Sequence, residues 1–335
     1  MIVTMRQDTP QNLLKVWQAQ LAASSITVTA VDPAGMVFYL TGKDLDEDRI
    51  LANEWVQDVK CLEVPYRLAC RALHPKDSVI DVGGVKIGAG MPLAVIAGPC
   101  AVESKEMVMH IAQSVKEAGA SLLRGGAYKP RTSPYAFQGM GQAGILALEE
   151  AGKETHMPIV SELMSENQLD AFIEHVDMIQ IGARNMQNYD LLKAVGRTKK
   201  PILLKRGMAA SIEEWIMSAE YILSEGNPNV ILCERGIRTF EKYTRNTLDL
   251  TVVPIVKEKT HLPIIIDPSH ACGNWRYVEA VSLAAAAAGC DGLMIEVHDD
   301  PEHARSDGAQ SLKCDRFRTL MEKVKTVSEA VGRKV

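Results

Sequence analysis

The chain has 335 residues, of which 47% are hydrophobic and 24% are charged, and a net charge of −5 that excludes a broadly basic nucleic-acid-binding surface. No apolar run is long enough to cross a bilayer and the first residues do not resemble a signal peptide, so we expect no membrane association and a cytoplasmic location. The seven cysteines are scattered without CxxC pairs, which favours reduced thiols over a disulfide framework.

Residues 1–74 show strand and helix patterns in the order β-α-β-β-α-β, with a turn at Asp32–Gly35. The predicted strands are 2–5, 26–31, 36–40 and 61–66, and the predicted helices are 11–23 and 47–56. This order is typical of a ferredoxin-like module, and such modules often bind small effectors or pack against copies of themselves. A purely structural cap is the alternative interpretation.

Residues 75–335 begin with a predicted β-hairpin, 79–87, that turns at Gly83-Gly84. Eight apolar runs follow, separated by helical patterns, at 93–97, 121–123, 158–160, 178–181, 201–204, 230–233, 263–266 and 292–295. Runs without period-2 alternation predict a parallel sheet that is buried on both faces. A closed (β/α)8 barrel is the natural arrangement, and a doubly wound open sheet is the alternative, although no GxGxxG follows the first run.

The helical patterns of this second part carry recognisable start signals. Ser104 precedes one apolar helix face. Ser165 with Gln168, and Ser211 with Glu214, have the spacing of capping boxes. These signals predict that the three helices begin directly after the serines.

Cations are concentrated where the second run ends, in the stretch Leu122–Ser133. Arg124, Lys129 and Arg131 lie within eight positions, and charges held so close repel one another unless anions lie between them. Arginine matches both phosphate and carboxylate, so the stretch predicts an anion site, although alone it could be a solvated basic loop.

Polar residues follow all eight runs, at the end of a barrel where functional groups cluster. One set consists of cations, namely Arg124, Lys129, Arg131, Arg184, Lys205, Arg206 and Arg235. The other set has metal-ligand chemistry, namely Cys100, His270, Glu296 and Asp307. A thiolate, an imidazole and two carboxylates suit Zn²⁺, Fe²⁺, Co²⁺ or Mn²⁺, although a buried thiol and a core histidine would explain two of them separately.

Seven stretches of the second part are distinctive, and they follow one another along the whole predicted barrel. They are Ala97–Cys100, Leu123–Tyr135, Gln180–Asn185, Leu204–Gly207, Cys233–Phe240, Asp267–His270, and Ile295–His298 followed by Ser306–Gly308. Together they resemble the 3-deoxy-D-arabino-heptulosonate 7-phosphate (DAHP) synthases. The resemblance implies a metal-dependent enzyme of aromatic amino-acid biosynthesis that condenses phosphoenolpyruvate with erythrose 4-phosphate and releases phosphate.

The resemblance also implies roles for individual residues. One divalent metal ion (Mn²⁺, Fe²⁺, Co²⁺ or Zn²⁺) would be held by Cys100, His270, Glu296 and Asp307. Lys129 would join Cys100 and His270 as a catalytic residue, with substrate binding as its safer role and proton donation as the alternative.

Substrate contacts are implied in the same way. Phosphoenolpyruvate would be bound by Arg124, Lys129, Lys205 and Arg235. The phosphate of erythrose 4-phosphate would be bound by Arg131 and Thr132. The remaining expected contacts are Ser133, Arg184, Arg206 and Glu162, the last of which would position the attacking water.

The N-terminal part resembles the discrete regulatory domain of one subgroup and not the chorismate mutase fused to other relatives. It predicts inhibition by a pathway product, with tyrosine or phenylalanine as first candidates and chorismate or prephenate behind them. The resemblance also implies a homo-oligomer, expected to be a tetramer.

Three other functions compete with this interpretation. A 3-deoxy-D-manno-octulosonate 8-phosphate synthase would use arabinose 5-phosphate, but the stretch Lys129–Thr132 argues against it, because those relatives typically have an Ala-Asn type of loop there. A Schiff-base aldolase with Lys205 as nucleophile would leave the metal-ligand set unexplained. A non-catalytic binding protein on a barrel scaffold would not need both a complete set of cations and a complete set of metal ligands.

Overall fold

The computed structural model describes residues 1–31, 35–43, 45–62, 64–129 and 133–335. The chain forms two compact units, Met1–Lys76 and Asp77–Val335. Most of the predicted turn at Asp32–Gly35 lies outside the described residues, as do Arg131 and Thr132. Within the described ranges, no helix is both long enough and apolar enough to cross a membrane.

The first unit is a four-stranded antiparallel sheet with two helices. Its elements are β1 (Ile2–Met5), α1 (Gln11–Ala23), β2 (Thr27–Ala30), β3 (Val37–Thr41), α2 (Glu47–Leu51) and β4 (Val56–Lys60). The strand order is β2-β3-β1-β4, as in ferredoxin-like folds. A core of buried side chains, including Leu14, Trp17 and Phe38, joins the sheet to its helices.

The last part of this unit differs from the sequence prediction. The second helix ends at Leu51, and the strand is β4 rather than 61–66. Val56 and Val59 stand three apart, which imitates helical spacing, yet both face the core. A register shift between Thr4 and Met5 of the neighbouring strand allows this, because an irregular pairing can turn two valines of that spacing to the same side.

The second unit is a closed barrel of eight parallel strands, as predicted. A hairpin, β5 (Val79–Val82) and β6 (Val85–Gly88), precedes it. The barrel strands are β7 (Ala94–Gly98), β8 (Leu122–Arg124), β9 (Ile159–Leu163), β10 (Met178–Ile181), β11 (Ile202–Lys205), β12 (Val230–Glu234), β13 (Ile264–Ile266) and β14 (Gly292–Glu296). Pairing of β14 with β7 closes the barrel and makes the first and last strand ends neighbours.

Helices surround this barrel. They are α3 (Lys105–Glu117), α4 (Gln142–Thr155), α5 (Leu169–His175), α6 (Tyr189–Gly196), α7 (Ile212–Ser224), α8 (Val252–Lys259), α9 (Pro268–Cys272), α10 (Trp275–Ala287) and α11 (Cys314–Ala330). The hairpin side chains Ile80, Val82 and Ile87 pack against residues near the strand starts, such as Ala94 and Leu122. The hairpin therefore packs against the amino-terminal part of the barrel core, away from the carboxyl ends of the strands.

Two of the three predicted helix starts are confirmed. Ser104 accepts a hydrogen bond from Met107 N, and Ser211 forms a complete capping box with Glu214. Ser165 makes no side-chain cap, because the chain first forms a 3₁₀ turn, Glu166–Gln168, before α5. The capping-box prediction at Ser165 is therefore wrong.

Candidate active site and metal centre

Buried charge is concentrated at the carboxyl ends of the strands. Among the described residues, five cations there are at least nine-tenths buried, namely Arg124, Lys129, Lys205, Arg206 and Arg235. Three carboxylates there are fully buried, namely Glu234, Asp267 and Glu296. Buried charges of one sign need partners, so this excess of cations favours binding of an anion.

Four side chains form a possible metal-binding site at this end of the barrel. The ligand atoms of Cys100, His270, Glu296 and Asp307 all lie within 4.8 Å of one another. Cys100 comes after β7, His270 is on α9 after β13, Glu296 ends β14, and Asp307 lies in the following loop. One sulfur, one nitrogen and two carboxylates are a coherent donor set for a borderline divalent ion.

The sulfur of Cys100 has three polar neighbours. Lys129 Nζ lies 3.2 Å from it, Ser306 Oγ 3.1 Å and Asp307 Oδ2 3.3 Å. Burial and the Glu296 carboxylate raise the pKa of Cys100 to about 12, although Lys129 pulls it the other way. A metal ion would therefore have to displace the thiol proton in order to bind.

His270 lies next to Asp267, for which the sequence predicted no role. His270 Nδ1 lies 2.7 Å from Asp267 Oδ2, and its Nε2 lies 3.2 Å from Glu296 Oε1. The Asp267 side chain also accepts a hydrogen bond from the His270 backbone N–H, which caps α9. Burial lowers the pKa of His270 and thus favours the neutral imidazole that a metal requires.

Glu296 receives a different donor on each of its oxygens. Arg124 Nη1 lies 2.5 Å from Oε1, and Gln310 Nε2 donates to Oε2 at 2.7 Å. Its backbone N–H donates to Ser269 Oγ at 2.9 Å. The carboxylate is therefore fixed in one orientation.

The remaining buried cations differ in the number and the charge of the protein acceptors that they contact. Lys205 Nζ lies 2.5 Å from Asp267 Oδ2. Arg206 donates to Glu234, Asp249 and the carbonyl of Ala210.

Arg235 donates to the carbonyl of Gly236 and has no carboxylate within 4.0 Å among the described residues. Burial lowers its pKa. Arg235 is therefore available for an anion, whereas Arg206 is already occupied by protein acceptors.

Three other predicted contact residues lie outside the cluster of buried charges. Arg184 and Ser133 are exposed, and Ser133 Oγ accepts a hydrogen bond from Tyr135 N. Glu162 is half-buried at the end of β9 and accepts a hydrogen bond from Gln180 at 3.3 Å.

Sequence reasoning missed four residues that contact the site, namely Asp267, Ser306, Arg245 and Gln310. Asp267 follows an apolar run and precedes a proline, which is a readable helix-start signal. Ser306 lies in a stretch that carried the family resemblance but was given no role. Arg245 and Gln310 lie in segments without a local pattern, and only the fold brings them to the site.

Comparison with known proteins gives consistent matches. A model of the DAHP synthetase I family matches residues 71–333. Phospho-2-dehydro-3-deoxyheptonate aldolase of Thermotoga maritima is 49% identical over 297 residues, which are 87% of this chain and 88% of the relative. A crystal structure of that enzyme from the same species covers 100% of this chain and 98% of its own, with a TM-score of 0.80 and 44% identity. A 2-dehydro-3-deoxyphosphooctonate aldolase of Citrifermentans bemidjiense is 35% identical over 271 residues, 76% of this chain and 98% of its own.

Proposed function

The chain belongs to the DAHP synthetase I family, so its reaction is the condensation of phosphoenolpyruvate with erythrose 4-phosphate, and we propose that the buried strand-end residues carry it out. The products are 3-deoxy-D-arabino-heptulosonate 7-phosphate and phosphate. The observation that supports this placement best is the joint burial of a metal-type donor set and an excess of cations at one end of the barrel.

The metal ion would be held by Cys100, His270, Glu296 and Asp307. When bound, a divalent ion supplies Lewis-acid polarisation of the aldehyde that the weakly nucleophilic enol carbon must attack. Mn²⁺, Fe²⁺, Co²⁺ and Zn²⁺ all suit a mixed sulfur, nitrogen and oxygen site.

Phosphoenolpyruvate would lie against Arg124, Lys129, Lys205 and Arg235. Arg235 is the strongest candidate, since it is buried and has no carboxylate partner among the described residues. Lys129 donates to Cys100 O at 2.9 Å and stands beside the sulfur, so it would link the anion to the metal site. Its proposed role is therefore to bind and orient the substrate, with proton donation as the alternative.

Arg206 would act on the substrate indirectly. Its ion pair with Glu234 is buried, and Glu234 Oε1 also accepts from Gly236 N at 2.6 Å. Arg235 lies between Glu234 and Gly236 in the chain. Arg206 would thus fix the backbone that presents Arg235.

Erythrose 4-phosphate would be bound through its phosphate by Arg131 and Thr132, and Ser133 and Arg184 would be further substrate contacts. The cations would hold two mutually repelling anions in one pocket, in an orientation that brings their reacting carbons together. Water would then add to the cationic centre at the former enol carbon, with Glu162 as its positioning group. Phosphate would leave by cleavage of the C–O bond.

The unit Met1–Lys76 would be a regulatory domain that responds to tyrosine, phenylalanine or another pathway product. Its support is the ferredoxin-like strand order, which is common among effector-binding modules. We also propose a homotetramer and a cytoplasmic location. Sedimentation with and without tyrosine or phenylalanine tests the homotetramer and the response to an effector together.

The alternative acceptor is arabinose 5-phosphate. The 2-dehydro-3-deoxyphosphooctonate aldolase match is lower in identity than the heptonate aldolase match. A Schiff base at Lys205 is disfavoured, because Lys205 Nζ is already bound to the Asp267 carboxylate and the metal-type donor set would then have no role in the reaction.

The decisive experiment measures consumption of phosphoenolpyruvate with either sugar phosphate, in EDTA and after Mn²⁺ is added back. We expect loss with the four-carbon sugar only, abolished by EDTA and restored by Mn²⁺. Turnover with the five-carbon sugar would transfer the assignment to the other synthase. Borohydride trapping with substrate separates the Schiff-base alternative.

A further inference from the structure

The side chains of Arg245 and Gln310 connect two carboxylates of the candidate metal site, those of Asp307 and Glu296. Arg245 Nη1 donates to Asp307 Oδ1 at 3.2 Å and to Gln310 Oε1 at 2.9 Å. Gln310 is 2% exposed, and its Nε2 donates to Glu296 Oε2 at 2.7 Å. One continuous chain of hydrogen bonds therefore runs from Asp307 through Arg245 and Gln310 to Glu296.

Arg245 and its neighbour Asn246 also contact α9, the helix that carries the candidate metal ligand His270. Arg245 N donates to Cys272 O, and Asn246 Nδ2 donates to His270 O at 3.1 Å. A Cβ at Gly273, which has φ +66°, would overlap with the Arg245 side chain. The left-handed end of α9 thus leaves the space that Arg245 occupies.

We propose that Arg245 and Gln310 are positioning residues, which hold two carboxylates of the metal site in the orientation that a metal ion requires. Outer residues of this kind commonly change metal affinity when they are altered. The Gln310 amide is suited to this contact, because it binds Oε2 of Glu296 without adding a positive charge to that of Arg124 on Oε1. The inference rests on the proposed function, since it presupposes the metal site.

The test is the Mn²⁺ affinity of the full chain, measured from the free-Mn²⁺ signal in electron paramagnetic resonance. The variants are Gln310→Met, which keeps the size and removes the amide, and Arg245→Gln. Arg197→Gln is the matched control, because Arg197 forms an ion pair of 2.9 Å with Glu225 on the barrel exterior. We expect the dissociation constant to rise by roughly 10- to 100-fold in both site variants and to stay unchanged in the control.

A second readout separates positioning from folding. The visible absorption of bound Co²⁺ should change in the site variants, because the carboxylate geometry changes, while the thiolate band of Cys100 should remain. The melting temperatures of the metal-free proteins show whether each variant folds. Arg245 is part-exposed, so its variant remains informative if Gln310→Met does not fold.

Wild-type Mn²⁺ affinity and an unchanged Co²⁺ spectrum in folded variants would overturn the inference. So would an Arg245→Gln variant that raises only the KM of a sugar phosphate, because Arg245 would then contact substrate. A wild-type protein that binds neither ion would instead overturn the proposed metal site, and the two failures are thus distinguishable.

Discussion

Each fully buried carboxylate at the strand ends depends on a partner of opposite charge. Asp267 is fully buried between Lys205 and His270, and these partners hold its pKa well below its usual range even though burial acts in the opposite direction. Such a group is costly to remove, because the cation that it neutralises stays buried. The stability of the site therefore depends on pairs and not on single charges.

Replacement of Asp267 by Ala should destabilise the protein by about 3–5 kcal/mol, since it leaves the Lys205 ammonium buried and unpaired. Urea unfolding measures this change. Asp58→Ala is the control, because the Asp58–Lys60 pair is exposed, and it should have little effect. Equal changes in both variants would contradict the role given to burial.

Gly182 has no side chain, and this leaves room for the side chain of Glu162. A Cβ at Gly182 would overlap with Glu162 Oε1, so Gly182→Ala should displace the carboxylate and break its contact with Gln180. The stability cost should be about 1 kcal/mol, the usual size of one hydrogen bond.

Activity then tests whether Glu162 matters to the reaction. The kcat/KM of Gly182→Ala should fall by as much as that of Glu162→Ala, and the double variant should fall no further. Additive losses would show that Gly182 acts by another route.

The strands of the barrel could be predicted from the sequence almost completely. All eight strands were predicted from their apolar runs, because a strand that is buried on both faces needs apolar residues throughout. Some strand residues lie just beyond the predicted runs. Lys205 and Glu296 pair with their neighbours as strand residues, at Cys233 and Gly98, although they carry charge.

Local patterns reach only part of the site. The strand-end residues could be predicted from their positions, since the barrel brings those positions together. Arg245 and Gln310 could not, because their contacts join a loop to a distant turn and no spacing in the chain encodes such a contact. The wrong strand at 61–66 has a similar cause, since β4 depends on a register shift in its neighbour.

Ser165 and Ser211 have the same capping-box spacing, and they therefore allow a matched test. Ser211→Ala should destabilise the protein by about 1 kcal/mol, because Ser211 caps α7. Ser165→Ala should change stability little, since Ser165 makes no side-chain cap before α5. Thermal unfolding of both variants gives the comparison, and an equal loss would mean that the signal and not the hydrogen bond determines stability.

The candidate site lies in one of the two units of the chain. Every described residue of the candidate site belongs to Asp77–Val335, which has its own hydrophobic core. Met1–Lys76 has a separate core around Trp17 and Phe38. Units with independent cores can often fold alone.

Removal of residues 1–76 should therefore leave a folded barrel that still condenses the two substrates but no longer responds to an effector. The physical reason is that the deletion takes away a complete core of its own and leaves the strand-end residues in place. Circular dichroism checks folding, and phosphoenolpyruvate consumption is measured with tyrosine, phenylalanine and then chorismate or prephenate. An active barrel whose inhibition matches that of the full chain would place the effector site on the barrel, and loss of activity in a folded barrel would mean that the first unit contributes to catalysis itself.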